Sequence, residues 1–124
     1  VTPQRLATAI PFASKILKSH QCKLRRHFSR YATRKYLCKP QQVHFVDTHK
    51  LLQRVTLGVE GALNLGETDG VGIAISDTIP MTFDELVGVL VHECLHNYCT
   101  VRGRFMSCHS EHICMRGLGD ECCA

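Results

Sequence analysis

His92-Glu93-Cys94-Leu95-His96 is an H-E-x-x-H pattern, and its residue types and spacing suit metal-assisted hydrolysis. Four residues advance a helix by about 400°, so both imidazoles lie on one face, one turn apart, able to bind one zinc ion. Glu93 sits about 100° round from His92, within reach of a water at the metal without being a ligand. It is the candidate general base. A catalytic zinc uses three protein ligands and leaves a fourth position for water. The third ligand must therefore come from downstream, where His109, Glu111, His112, Asp120 and Glu121 are available. The extended metzincin pattern is absent, since Cys99 and Gly103 do not match it.

A helix has to carry this motif in the right register. Thr82-Phe83-Asp84-Glu85 matches a capping box, so the helix is expected to start there and run to about Tyr98. Phe83, Leu86, Val87, Leu90, Val91, Cys94, Leu95 and Tyr98 fall on the arc away from the histidines and are expected to be buried. Glu85, Gly88, Val89 and Cys99 share the histidine side. Upstream, residues 57–65 and 71–76 alternate as strands do, and Asp69-Gly70 between them is a turn signal, so a hairpin is expected. Residues 42–47 read as a further strand. Over 12–37, Phe12, Ile16, Leu24, Phe28, Tyr31 and Ala32 recur near a helical period, which predicts a long basic amphipathic helix broken at most once. Ser110 is a candidate N-cap for a last short helix over 111–118, with His109 just before it.

Composition sets the frame. The 124 residues are 44% apolar, and no linker-like or low-complexity run divides them, so one domain over 1–124 is expected. No stretch approaches the ~20 apolar residues of a membrane-spanning helix. The net charge of +4 hides an asymmetry: residues 1–40 hold ten Lys or Arg and no acid. Such a segment, from Arg5 to Lys39, is either a DNA or other polyanion contact or a solvated helix face, with a transit peptide as a third reading. Of the eight cysteines, six lie from Cys94 onward. They pair as disulfides or stay as buried reduced thiols; no C-x-x-C units support a zinc finger.

The region 71–119, through VGIAISDTIPMTFDELVGVLVHECLHNY and CHSEHICMRGLG, resembles the SprT-like zinc metalloproteases. A strand ending in Ser, a short turn, an H-E-x-x-H helix followed by an aromatic residue, and a His ahead of a short helix is that family's order. The resemblance implies a zincin-like α+β fold: an N-terminal basic helix, a small antiparallel or mixed sheet of about three strands, the H-E-x-x-H helix and a short C-terminal helix. It implies one zinc ion held by His92, His96 and His109, with Ile113 at the family's apolar position and Glu93 as base. Ser110 and Glu111 depart from the small residue and Pro that often follow the third His, and His112 is the alternative third ligand. The family's DNA-binding zinc ribbon has no counterpart here.

The expected function is zinc-dependent hydrolysis of a protein or peptide substrate by a monomer. Tyr98, His112 and Arg116 are candidates to stabilise the oxyanion, and Glu85 and Asp120 to orient ligand imidazoles. Substrate is expected to add as an extended strand to an edge of the sheet, with 71–76 the candidate strand; the small residues of that strand, Gly72, Ala74 and Ser76, read rather as room for packing of the zinc helix. The sequence leaves the compartment open between an intracellular, nuclear setting and, given eight cysteines, a secreted one. A secreted, disulfide-stapled zinc protease and a non-catalytic zinc or nucleic-acid-binding module are the alternatives.

Overall fold

The computed structural model describes residues 1–58 and 66–105. Their order is α1 (Pro3–Ser19), α2 (Gln21–Lys35), a 3-10 turn (Pro40–Gln42), β1 (Val43–Phe45), α3 (Thr48–Gln53), β2 (Val55–Leu57), β3 (Gly66–Thr68), β4 (Ile73–Ile75), α4 (Phe83–His96), β5 (Cys99–Val101) and β6 (Arg104–Phe105). The class is α+β, as expected. The strands form two three-stranded sheets instead of one. The expected C-terminal helix lies outside the described residues, and no described helix is long and apolar enough to cross a membrane.

The basic segment is two helices, parted at His20. α1 starts well before residue 12 because Thr2 caps it, its hydroxyl accepting from the Arg5 N–H at 3.2 Å, and Pro3 at the first helical position gives up no hydrogen bond. Its buried stripe is Leu6, Ala9, Ala13 and Leu17, one helical face. Phe12, expected on that face, is 54% exposed, and its ring meets Phe83 edge-on at 5.3 Å. On α2, Leu24, Phe28 and Ala32 are buried while Lys23, Arg26, Arg30, Arg34 and Lys35 face solvent. The cations are therefore mounted on helices whose other faces build the core.

β1 falls within the strand expected over 42–47, but Asp47 leaves it to cap a helix the sequence reading missed. Its carboxylate accepts from the His49 N–H at 3.0 Å and starts α3. β1 pairs antiparallel with β5, and β5 with β6. The β5–β6 turn is Arg102-Gly103, both with positive φ (53° and 77°), the conformation that matches strand twist in a two-residue hairpin.

The second sheet corrects two expectations. Its order is β2-β4-β3, with β2 parallel and β3 antiparallel to β4. Leu57 ends β2, and residues 59–65 lie outside the described ones. The hairpin is thus β3 with β4, and 66–68, expected in the turn, is strand. Asp69-Gly70 does make the turn: Gly70 has φ 89°, and the Asp69 carboxylate accepts the N–H groups of Val71 and Gly72 at 2.9 and 3.0 Å. These bonds, that of Gly72 first, hold the Asp69 carboxyl below its ordinary pKa of 3.8. The second correction is that β4 is the central strand, with both edges taken, so 71–76 is no docking edge.

α4 is the hub. α1, α3, β3 and β4 all pack on it, α1 the most extensively, and Ala9 and Ala13, fully buried, leave room for the two helix backbones to come close.

Candidate metal centre

The capping box forms as read. The Thr82 hydroxyl accepts from the Glu85 N–H at 3.1 Å, and the Glu85 carboxylate accepts from the Thr82 N–H at 3.3 Å. Two otherwise unsatisfied donors are met, so α4 begins in a defined register. Glu85 is exposed and engaged in the cap, two turns before His92, which is a different task from the imidazole-orienting one expected of it.

From Leu86 to Cys99 every residue is buried except His92 and His96, each half-buried. The expected core arc is buried from Leu86 to Tyr98, with Phe83 half-covered. Val89 is buried although it shares the histidine side, because β3 crosses there: a Cβ on Gly66 would stand 2.9 Å from Val89 Cγ1. Only Gly lets the strand lie this close to the helix.

The imidazoles are 4.6 Å apart between centroids, their planes at 84°, with Nε2 to Nε2 at 2.9 Å. Glu93 is 6% exposed. One ligand atom from each of His92, Glu93 and His96 lies within 4.8 Å of the others, a group able to hold a metal ion. The donors fit such an ion. Two nitrogens on a tetrahedral zinc, each ~2.0–2.1 Å from it, stand about 3.3 Å apart. A small ring rotation takes 2.9 Å to that value. Imidazole nitrogens beside a carboxylate suit zinc and its divalent transition-metal neighbours.

Burial, followed by the charge on Glu93, pushes the Cys94 thiol up to about 12; it packs as a protonated small hydrophobe. Cys22 and Cys38 are also free thiols, and Cys99 is buried at 1% exposure.

The C-terminal end of α4 is tied down by a contact the sequence reading missed. Asn97, 6% exposed, donates through Nδ2 to Thr68 Oγ1 at 2.7 Å. That hydroxyl donates to the Gly72 carbonyl at 2.7 Å and accepts the Gly70 N–H at 3.2 Å. One threonine thus joins the β3–β4 turn to the residue after His96. An Asn just past a helical run is a stop signal, and that signal was there to be used; its partner, distant in sequence, was not.

Tyr98, an oxyanion candidate, is committed elsewhere. It stacks on Phe28 at 5.0 Å, meets Phe45 edge-on at 5.8 Å, and its hydroxyl lies in the field of the Arg25 guanidinium. Burial raises its pKa, and Arg25 partly offsets that. His109, the alternative ligand His112, and Arg116, Asp120, Glu111 and Glu121 lie outside the described residues. The structure brings together His92, Glu93 and His96 and corrects Glu85 and Tyr98. Compared with protein-family models, curated proteins and solved structures, the chain matches none.

Proposed function

We propose that the protein is a zinc-dependent metallopeptidase of the SprT-like kind. The observation that carries this reading is the one break in the buried run of α4: two half-buried imidazoles with Nε2 atoms 2.9 Å apart, and the Glu93 carboxylate in the same group. A helix otherwise packed on all sides keeps such polar groups together at a cost, and metal chemistry gives that cost a use.

His92 and His96 would hold the ion, with His109, or in its place His112, as third ligand. Zinc bound there supplies Lewis acidity, making water reactive near neutral pH and polarising a peptide carbonyl. Glu93 accepts the proton of the attacking water and delivers it to the leaving amine. Its burial keeps bulk water from competing for that proton. For an extended substrate β3 replaces β4 as the docking strand: among the described residues it pairs on one side only and it lies across α4.

The experiment is elemental analysis of purified wild type, His92→Ala and Glu93→Gln, paired with hydrolysis of an unfolded protein substrate. One zinc per chain, lost in His92→Ala and kept in Glu93→Gln, with hydrolysis in wild type alone, supports the reading. Zinc without hydrolysis makes the site a closed structural one. A folded wild type that takes up no zinc overturns the proposal.

A further inference from the structure

Away from the metal centre, a cleft of about 740 Å³ opens where the α1–α2 corner meets the β1–α3 connection and Tyr98. Its size lies in the range of small-ligand sites. Its walls carry two cations, Lys18 and Arg25, against one carboxylate, Asp47. That carboxylate already accepts the His49 N–H as the cap of α3. Ser14, Gln21, Thr48, His49 and Tyr98 add further side chains able to donate.

Arg25 is held in place before any ligand arrives. Its guanidinium lies over the Phe45 ring, 5.2 Å from the centroid, and its charge lies near enough to the Tyr98 hydroxyl to lower that group's pKa. Anchoring the planar fork in this way lowers the entropy lost when its N–H groups bind an anion. The two helices that form the corner belong to a segment with ten cations and no acid, so the local potential favours anions.

We propose that this cleft binds a phosphate ester, with Arg25 and Lys18 as its charged contacts. A phosphate offers three acceptor oxygens and up to two negative charges to a set of two cations and several further donors. A carboxylate, with two oxygens and one charge, would leave part of that set unused. The volume beyond the phosphate accommodates what the ester carries. This inference is independent of the metal centre and is read without any hydrolysis assay.

The test is calorimetric titration of the whole chain with inorganic pyrophosphate and, separately, with a short single-stranded oligothymidylate, sodium acetate serving as the carboxylate comparison. Lys18→Gln and Arg25→Gln should each weaken the phosphate probe about tenfold or more, the loss expected for one charge-assisted hydrogen bond. Arg34→Gln, in the last turn of α2 and about 13 Å along the helix from Arg25, should leave it unchanged. Lys18 is exposed in the last turn of α1, so its variant keeps the fold, as circular dichroism checks. Tight binding of pyrophosphate assigns the source to a small phosphate-bearing molecule. Binding of the oligonucleotide alone assigns it to a nucleic-acid backbone. The proposal is overturned if neither phosphate probe binds, if acetate binds as tightly, or if Arg34→Gln costs as much as the cleft variants.

Discussion

Thr68→Val removes one hydroxyl and keeps the shape of the side chain. In the folded protein that hydroxyl serves three groups: the Asn97 amide at 2.7 Å, the Gly72 carbonyl at 2.7 Å and the Gly70 N–H at 3.2 Å. The Asn97 amide is buried, and leaving its donor unsatisfied costs about 1–3 kcal/mol. The two turn groups lie in a more open loop where water can replace the hydroxyl, so each adds about 0.5 kcal/mol, the low end of a net hydrogen bond. The total is roughly 2–4 kcal/mol, a fall in Tm of about 10 °C for a domain of this size. Urea unfolding followed by circular dichroism measures it. Because Asn97 follows His96 directly, affinity for the zinc proposed at that site should fall as well, whereas Thr68→Ser, which keeps the hydroxyl, should restore both. A Thr68→Val protein within about 0.5 kcal/mol of wild type, the range of an ordinary surface substitution, would refute the role assigned to this threonine.

Leu90 is fully buried in the middle of α4, so Leu90→Ala should cost about 2–5 kcal/mol in chemical unfolding through lost burial and the cavity left behind. The exposed Asp69 carboxylate has its folded pKa below 3.8, so its contribution is present above its unfolded pKa and disappears as pH falls through the lower folded value. The Val71 and Gly72 amide resonances should accordingly titrate with a midpoint under 3.8, and a higher midpoint would contradict the hydrogen bonds drawn to that side chain. Cys22 is exposed whereas Cys94 is buried with its thiol pushed up to about 12, so brief maleimide treatment followed by peptide mass mapping should find the first labelled and the second untouched until denaturant is added.

Helix α4 is legible in the sequence because its signals are local. Thr82 and Glu85 are three residues apart and satisfy each other's backbone donors, and one apolar stripe phases the helix so that His92 and His96 share a face. Pairing of β3 with β4 was half legible: Asp69-Gly70 marks a turn wherever it occurs, but how many residues the turn consumes depends on which carbonyls and amides the opposite strand presents. The extent of the basic helices was partly hidden because Phe12 mimics a core position, while the smaller Ala9 and Ala13 hold the buried ones. Their value lies in letting α1 approach α4, and a partner's proximity is no property of α1 by itself. The short α3 escaped because a six-residue helix has too little periodicity to register.

The sequence alone therefore determined the grouping of His92, Glu93 and His96 on α4 and the gathering of cations in the first forty residues, matters of residue type at short spacing, and its family resemblance carried the α+β class. Tertiary structure decided that β4 is central and parallel to β2, that Glu85 caps instead of orienting an imidazole, that Tyr98 turns to Phe28 and Arg25, and that Thr68 ties down Asn97. Each of these joins groups far apart along the chain or chooses between two local partners. Short-range hydrogen-bond and helical periodicities carry no information about such choices, because they are settled only by which surfaces the collapsed chain brings into contact.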